Sequence, residues 1–284
     1  MVVVPAPVST WLLGDRLVNR VGFGAMRLPQ TGPAFEPGSP PRDRGQAITV
    51  LRKAIELGVN HIDTAAFYFS SLRSANELIN SALSPYPDDL VIATKVGPSR
   101  DPSGAWRPPA GPGDLRGQVE ENLRQLGRDH LDLVYLRAEG PGDVTDRFAA
   151  LAELRQAGLI RHLGISAVGP EQLAQAQAVA PVVAVQNSYG LGYRPQQDEF
   201  IRLCGEQGVA FVPFFSITGA NREAGGGTDA QVRLAWTLAR GPHVLVIPGT
   251  GDPAHLAENV AAGDLRLSEE ELARLDELHR NRGA

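Results

Sequence analysis

One cysteine, Cys204, is all that the 284 residues contain. A lone thiol excludes a disulfide framework and a zinc cluster built on several cysteines, and it suits a reducing cytoplasm. Basic charge is also short, with 27 Lys and Arg against 32 Asp and Glu and a net charge of −5. A nucleic-acid binder needs a clustered basic face, which this balance does not suggest. No apolar run reaches the roughly 18 residues of a membrane span. The opening MVVVPAPVST has no basic flank and is broken by Pro5 and Pro7, so it does not read as a secretory signal. The histidines lack metal-ligand spacing, and no metal site is expected. These absences leave a cytoplasmic protein without nucleic-acid or membrane partners as the expectation.

What the chain does have is alternation. Hydrophobic residues make up 43% and charged residues 21%, enough for a large core on a soluble protein. Strand-like runs fall at 21–26, 60–63, 90–96, 131–137, 160–166, 182–187, 209–215 and 243–249. Helix-like stretches follow them at 46–57, 74–83, 114–126, 145–157, 170–178, 196–206, 229–239 and 253–261. Eight such units favour a closed (β/α)8 TIM barrel over an open sheet, with residues 1–284 as one domain. A hairpin is expected at about 9–20, around Gly14-Asp15, and an extra helix at about 267–280. Asp114 and Thr145 are candidate helix caps, and Gly58, Gly127, Gly158 and Gly208 stand where a helix ends in a left-handed residue. The Pro- and Gly-rich stretches 28–45 and 97–113 read as loops after the first and third strands.

A barrel gathers its strand C-termini into one pocket. Those ends are Met26, Asp63, Lys95, Arg137, Ser166, Gln186, Phe214 and Thr250, with Tyr68 just past the second strand. A tyrosine can protonate a carbonyl oxygen, and a neighbouring lysine cation favours its phenolate, lowering the pKa from about 10. An aspartate beside the lysine keeps the ammonium charged and in place. Asp63, Lys95 and Tyr68 therefore read as a tuned general acid. The plainer alternative is a structural ion pair with a rim aromatic, but three such residues at neighbouring strand ends favour chemistry.

The stretches VGFGAMRL, GVNHIDTAAFY, IATKVG, LGISAV, VQNSY and VIPGT…AHLAENV resemble those of the aldo-keto reductases, in order along nearly the whole chain. The resemblance is nearest to bacterial members like pyridoxal reductases. It implies hydride transfer from NADPH, with NADH as the alternative, to an aldehyde or ketone. It makes Asp63, Tyr68 and Lys95 catalytic, with Tyr68 the acid. Ser166 and Gln186 would hold the nicotinamide carboxamide, and Phe214 would stack on its ring. Gly24, Ala25 and Met26 would lie along the cofactor. Gly249, Thr250, His255, Glu258 and Asn259 would clasp its adenosine end. A small-molecule carbonyl substrate and a monomer or weak homo-oligomer are implied.

Three departures from that family stand out. Arg137 occupies the place of the usual fourth catalytic residue, a histidine, and arginine cannot give up a proton. It is expected to orient substrate and steady developing negative charge. The stretch SITGANREAGGGTDAQV after the seventh strand is short and glycine-rich where the family carries a longer cofactor loop. Gly249 and His255 stand where many members carry lysine and arginine, leaving Thr250 and helix-start N–H groups to hold a 2′-phosphate. These departures motivate the alternative of a barrel that lost redox activity, as a non-redox biosynthetic enzyme or binding protein. A structural subunit like the potassium-channel β-subunits ranks last, with no interaction segment to support it. GFGAM lacks the third glycine and the following helix of a dinucleotide loop. His61 reads as a packed barrel residue. Trp106, Tyr189 and Tyr193 are candidate substrate walls.

Overall fold

The computed structural model describes residues 10–36, 38–138, 140–193, 195–217 and 229–281. It begins with the expected hairpin, β1 (Thr10–Leu13) and β2 (Arg16–Asn19), joined through Gly14-Asp15. Gly14 stands at φ +66°, and a Cβ there would lie 2.5 Å from the His162 ring. The turn is tied down through Asp15, which accepts from Arg161 and, at 2.6 Å, from His162 Nε2. Those two donors hold the Asp15 carboxyl far below the usual carboxylate range.

Seven strands follow and pair in parallel, in chain order. They are β3 (Phe23–Gly24), β4 (His61–Asp63), β5 (Val91–Val96), β6 (Leu131–Arg137), β7 (Ile160–Ser166), β8 (Val182–Gln186) and β9 (Ala210–Phe211). The eighth expected strand, 243–249, is not a continuous strand. It closes the ring through single bridges, Phe211 to Val244 and Val21 to Val246. Gly22 N donates to Val246 O at 2.8 Å, and Leu245 N to Phe211 O at 2.9 Å. Pro213 and Pro248 have no N–H to extend these ladders, which accounts for the short β9 and the broken eighth segment. The result is a (β/α)8 barrel.

The helices are α1 (Arg44–Glu56), α2 (Ala75–Leu83), α3 (Leu115–Leu126), α4 (Thr145–Gln156), α5 (Pro170–Val179), α6 (Asp198–Glu206), α7 (Asp229–Leu238), α8 (Pro253–Ala261) and the extra α9 (Glu269–Asn281). Among the described residues no helix is long and apolar enough to cross a membrane. The two expected caps are corrected. The Asp114 side chain makes no helix cap and accepts instead from Gly111 N at 2.9 Å. Thr145 is already helical, and Asp143 accepts from its N–H at 2.6 Å. Gly127 ends α3 at φ +63° as expected. Most of the glycine-rich stretch after the seventh strand lies outside the described residues.

Side-chain parity sorts the core into two layers. Inside the barrel, Val91, Ala93, Leu133, Tyr135, Ala184, Ala210, Val212 and Leu245 pack with Leu13 and Val18 of the hairpin, which closes the N-terminal end. Outside, residues such as Ile62, Ile92, Val134, Leu136, Ile165 and Val185 pack against the helices. His61 belongs to the interior. It is fully buried, and neither ring nitrogen has a hydrogen-bond partner.

Burial pushes the His61 pKa down to about 4, against an opposing pull from Asp63. An unfolded chain takes up this proton near pH 6.5 and the folded one does not, so stability falls as pH drops from about 6.5 to about 4. The loss from this one group should reach roughly 3 kcal/mol. Denaturant unfolding across that range checks it: His61→Leu should flatten the slope, and an unchanged slope would show that other groups carry the acid sensitivity.

Candidate active site

The inward parity of the strands places successive polar side chains at the C-terminal mouth. Asp63 pairs in register with Ala93, so Lys95 stands two residues further up β5, across from Tyr135. Arg137 stands two residues above Tyr135, across from Ser166, which in turn pairs with Gln186. The six sequence-derived strand ends from Asp63 to Phe214, with Tyr68, thus crowd one end of the barrel. Tyr68 is brought back over it by a tight turn, its N–H donating to Ala65 O at 3.0 Å.

Lys95 Nζ donates to Asp63 Oδ1 at 2.6 Å and to Thr64 O at 3.0 Å. Both side chains are nearly excluded from solvent, at 2% and 4% exposure, so this is a buried ion pair. Asp63 Oδ2 accepts from Gln186 Nε2 at 2.7 Å. A carboxylate can only accept, so Asp63 fixes the Gln186 amide with its nitrogen inward. Gln186 Oε1 is left buried without a partner, as is Ser166 Oγ. The Lys95 ammonium lies 4.9 Å from the Tyr68 ring centroid.

These contacts set the protonation states. Burial pulls Lys95 down, but Asp63 and then Tyr68 more than offset it, and its pKa ends above the ordinary value. For Tyr68 the sequence-based direction is reversed. Burial pushes the phenol up, outweighing the downward pulls of Lys95 and Arg137, and Asp63 adds to the rise. Tyr68 therefore keeps its proton through neutral pH.

The mouth opens into a cavity of about 390 Å³, lined by Gly24, Met26, Asp63, Tyr68, Lys95, Arg137, Gln186, Phe214 and Gly249 among the expected residues. Gly24 and Gly249 must be glycine: a Cβ on either would lie 2.6 Å or 2.5 Å from the other's strand, at Ile247 O and Gly24 O. Ala25 turns away into the outer core. Thr250, His255, Glu258 and Asn259 lie beyond Gly249 and do not line this cavity. At the start of α8, the Asp252 carboxylate accepts from Ala254 N at 2.7 Å and His255 N at 3.4 Å, and Thr250 Oγ1 accepts from Asp252 N at 3.1 Å. The helix-start N–H groups expected to receive a phosphate there are thus already engaged by an anionic cap, whereas Thr250 Oγ1 only accepts, from a backbone N–H. The nearby cation is Arg42, whose guanidinium lies where a Cβ on Gly251 would stand.

Sequence reasoning found Trp106 but missed the two phenylalanines that make an aromatic wall with it. Phe35 and Phe67 pack with Trp106 at centroid distances of 5.3 Å and 5.7 Å, and Phe35 lies 5.7 Å from Tyr68. Trp106 does line the cavity, with half its surface exposed. Tyr189 does not: it is fully buried, stacked on Trp236 and donating to Asp198 at 2.7 Å. The signal available was the aromatic run Phe67-Tyr68-Phe69 and a phenylalanine inside a Pro- and Gly-rich loop. Phe35 takes φ +66°, Ala167 +58° and Phe215 +65°, non-glycine left-handed residues that all sit on loops at this mouth. Such strain gathers at functional sites.

The model of the aldo/keto reductase family matches residues 20–223 and 220–280. The chain belongs to the aldo/keto reductase family. It is an NAD(P)-dependent oxidoreductase acting between carbonyl and alcohol. It is 45% identical to the pyridoxine 4-dehydrogenase of Escherichia coli over 96% of this chain and 99% of that one. It is 37% identical to an oxidoreductase of Schizosaccharomyces pombe, over 95% and 89% of the two chains. An aldo-keto reductase from Klebsiella pneumoniae, solved with NADPH, superposes with a TM-score of 0.80 at 26% identity, over 97% of this chain and 96% of that one.

Removing one member of the buried ion pair strands the other. Asp63→Asn should destabilise the fold by about 3–5 kcal/mol, since Lys95 loses its counter-charge. Asp63→Asn combined with Lys95→Met should recover most of that loss. Denaturant unfolding of the three proteins decides it: a double variant no more stable than the single one would mean that the pair is not the unit that counts.

Proposed function

We propose that the chain reduces an aldehyde or ketone to an alcohol, drawing on NADPH, with Tyr68 as the proton donor. The observation that carries this reading is Tyr68 itself, a buried phenol that burial keeps protonated beside the Lys95 ammonium. A proton donor must hold its proton at the working pH. Asp63 keeps Lys95 charged, and Lys95 steadies the phenolate that Tyr68 becomes when it protonates the carbonyl oxygen.

The residues fit a nicotinamide cofactor, which when bound supplies the hydride. Ser166 Oγ–H and Gln186 Oε1 are a buried donor and a buried acceptor without partners. A carboxamide, with one C=O and one NH2, complements both. Phe214 offers a ring at the cavity wall, and the paired glycines Gly24 and Gly249 keep the strand ends free of side chains. For the adenosine end, Arg42 beside Gly251 provides the cation that favours NADPH, against the Asp252 carboxylate. The Klebsiella pneumoniae neighbour solved with NADPH supports the same choice. The Escherichia coli relative, named for pyridoxine, makes pyridoxal-like aromatic aldehydes the first substrates to try.

Fluorescence titration should give tighter binding of NADPH than of NADH, and equal affinities would reject the preference. Failure to bind either at millimolar concentration would sink the reductase reading. Tyr68→Phe should lower kcat by about 100-fold to 10,000-fold while NADPH affinity stays within about threefold; retained turnover would remove Tyr68 from its role. The raised Tyr68 pKa also fixes two pH profiles. Aldehyde reduction should show no loss from this group between about pH 6 and about pH 9, because the donor form persists. Alcohol oxidation needs the phenolate and should rise by about tenfold per pH unit over the same range. A reduction rate falling along that rise would contradict the protonation state.

A further inference from the structure

On the outer face of the barrel the packing changes character at the level of the active site. Ile62 and Ile92 pack against the helices, but the next outward residues along the chain are Thr64 and Thr94. Each is the chain neighbour of an inward side chain of the active site, Asp63 or Lys95. Both threonines are fully buried, and so are Asn76 of α2 and Asn122 of α3. Thr64 Oγ1 donates to Asn76 Oδ1 at 2.7 Å, and Thr94 Oγ1 to Asn122 Oδ1 at 2.6 Å. Asn76 Nδ2 joins the two halves, donating to Asn122 Oδ1 at 2.9 Å and to Gln125 Oε1 at 3.0 Å. Asn122 Nδ2 donates to Gln118 O at 2.8 Å, an acceptor that fixes which end of the amide faces the threonine. None of the four residues has a buried side-chain atom without a partner.

Apolar side chains would fill the same space without the desolvation that buried hydroxyls and amides undergo. What a closed network adds is direction, because hydrogen bonds demand an angle and apolar contacts slide. None of the four lines the active-site cavity, so they can act on it only through other residues.

We propose that Thr64, Asn76, Thr94 and Asn122 form a positioning cluster that sets, from outside the barrel, where the Lys95 ammonium stands beside Tyr68. Its consequence for turnover rests on the reductase reading; its consequence for Lys95 does not. The link is short. Lys95 Nζ donates to Thr64 O at 3.0 Å, so the carbonyl that steers the ammonium belongs to the residue whose hydroxyl Asn76 holds. Thr64 N donates to Ala93 O at 2.8 Å, which ties the same residue to β5 just before Thr94. Asp63, the other acceptor of Lys95, directly precedes Thr64. The cluster thus grips both acceptors and the lysine backbone from behind, through two helices. A displacement of about 1 Å at such a group can lower a rate by about 100-fold.

Lys53 and Lys95 are the only lysines in the sequence, so 15N labelling of lysine side chains gives two ammonium groups to follow by NMR. Lys53 is exposed and serves as the control. Thr64→Val and Thr94→Val remove the hydroxyls at nearly unchanged shape, and Thr64→Ser and Thr94→Ser keep them. Each Val variant should move the Lys95 signal and speed exchange of its protons by about tenfold or more, with Lys53 unchanged. It should also lower kcat for aldehyde reduction by about 10-fold to 100-fold, with KM and NADPH affinity within about threefold. The Ser variants should restore both the signal and the rate. A network that only braces the helices would lose thermal stability in the Val variants with the Lys95 signal and kcat unchanged. That result would overturn the proposal, as would Ser variants that behave like the Val ones. If the Val variants do not fold, Gln125→Met, at the half-buried rim of the network, should still shift the Lys95 signal, and an unmoved signal would overturn it too. The lysine signals need no cofactor. A wild-type protein that reduces no aldehyde would sink the reductase reading, and the Lys95 signal would still decide this one.

Discussion

The Asp63–Lys95 ion pair is the constraint around which the mouth of the barrel is arranged. Two opposite charges at 2.6 Å, both nearly dry, survive only if their remaining hydrogen-bonding capacity is met. Thr64 O takes a second proton of the ammonium, and Gln186 fills the second carboxylate oxygen. That second bond reaches from β4 to β8, across the barrel. It also decides which end of the Gln186 amide is left over, leaving Oε1 buried without a partner. The pair acts downward as well. The Asp63 charge favours a proton on His61 below it, yet burial wins and the imidazole stays neutral.

The pair acts upward on Tyr68, and here magnitudes matter more than residue types. Lysine beside tyrosine suggests a lowered pKa, and the Lys95 contribution has that sign. The ring is only 6% exposed, however, and the cost of a buried phenolate is larger than the attraction. The sign of the net shift follows from depth, and depth is a property of the folded chain. The ion pair therefore does not make Tyr68 a ready phenolate. It lowers the cost of a phenolate without making one the resting state.

What was legible in the sequence follows the same division. Strand parity is local, so Asp63, Lys95, Arg137, Ser166, Gln186 and Phe214 could be read as facing one mouth before any coordinates. Both ends of the hairpin and the extra helix were equally readable from their own residues. The eighth strand was read as a run of β-branched residues, but Pro248 limits it to bridges. Asp114 looked like a cap because it precedes a helix, yet a short 3-10 turn at Pro112–Asp114 puts it to a different use. Of the aromatic wall only Trp106 was read from the sequence, and Phe35 and Phe67 were illegible for a physical reason: the three come from separate loops, and no periodicity links them. Asp252 was overlooked because a helix-start N–H reads as free until its own cap is seen.

That contrast between strand ends and loops carries the last step. The floor of the cavity consists of side chains fixed by strand register and by hydrogen bonds to one another, and it leaves no freedom to adjust to a substrate. The rim consists of loop residues, and the backbone there is strained at Phe35, Ala167 and Phe215, each in a left-handed conformation that costs about 1–2 kcal/mol without glycine. Strain of that size persists only where packing holds it, and Phe35 is held by Phe67, Tyr68 and Trp106. Arg137 belongs to both regions. Its backbone is set by the β6–β7 register, while its guanidinium lies over Phe214, whose chain neighbour is the strained Phe215. A change at this one position would leave the Asp63–Lys95 pair in place while removing one of the downward pulls on the Tyr68 phenol.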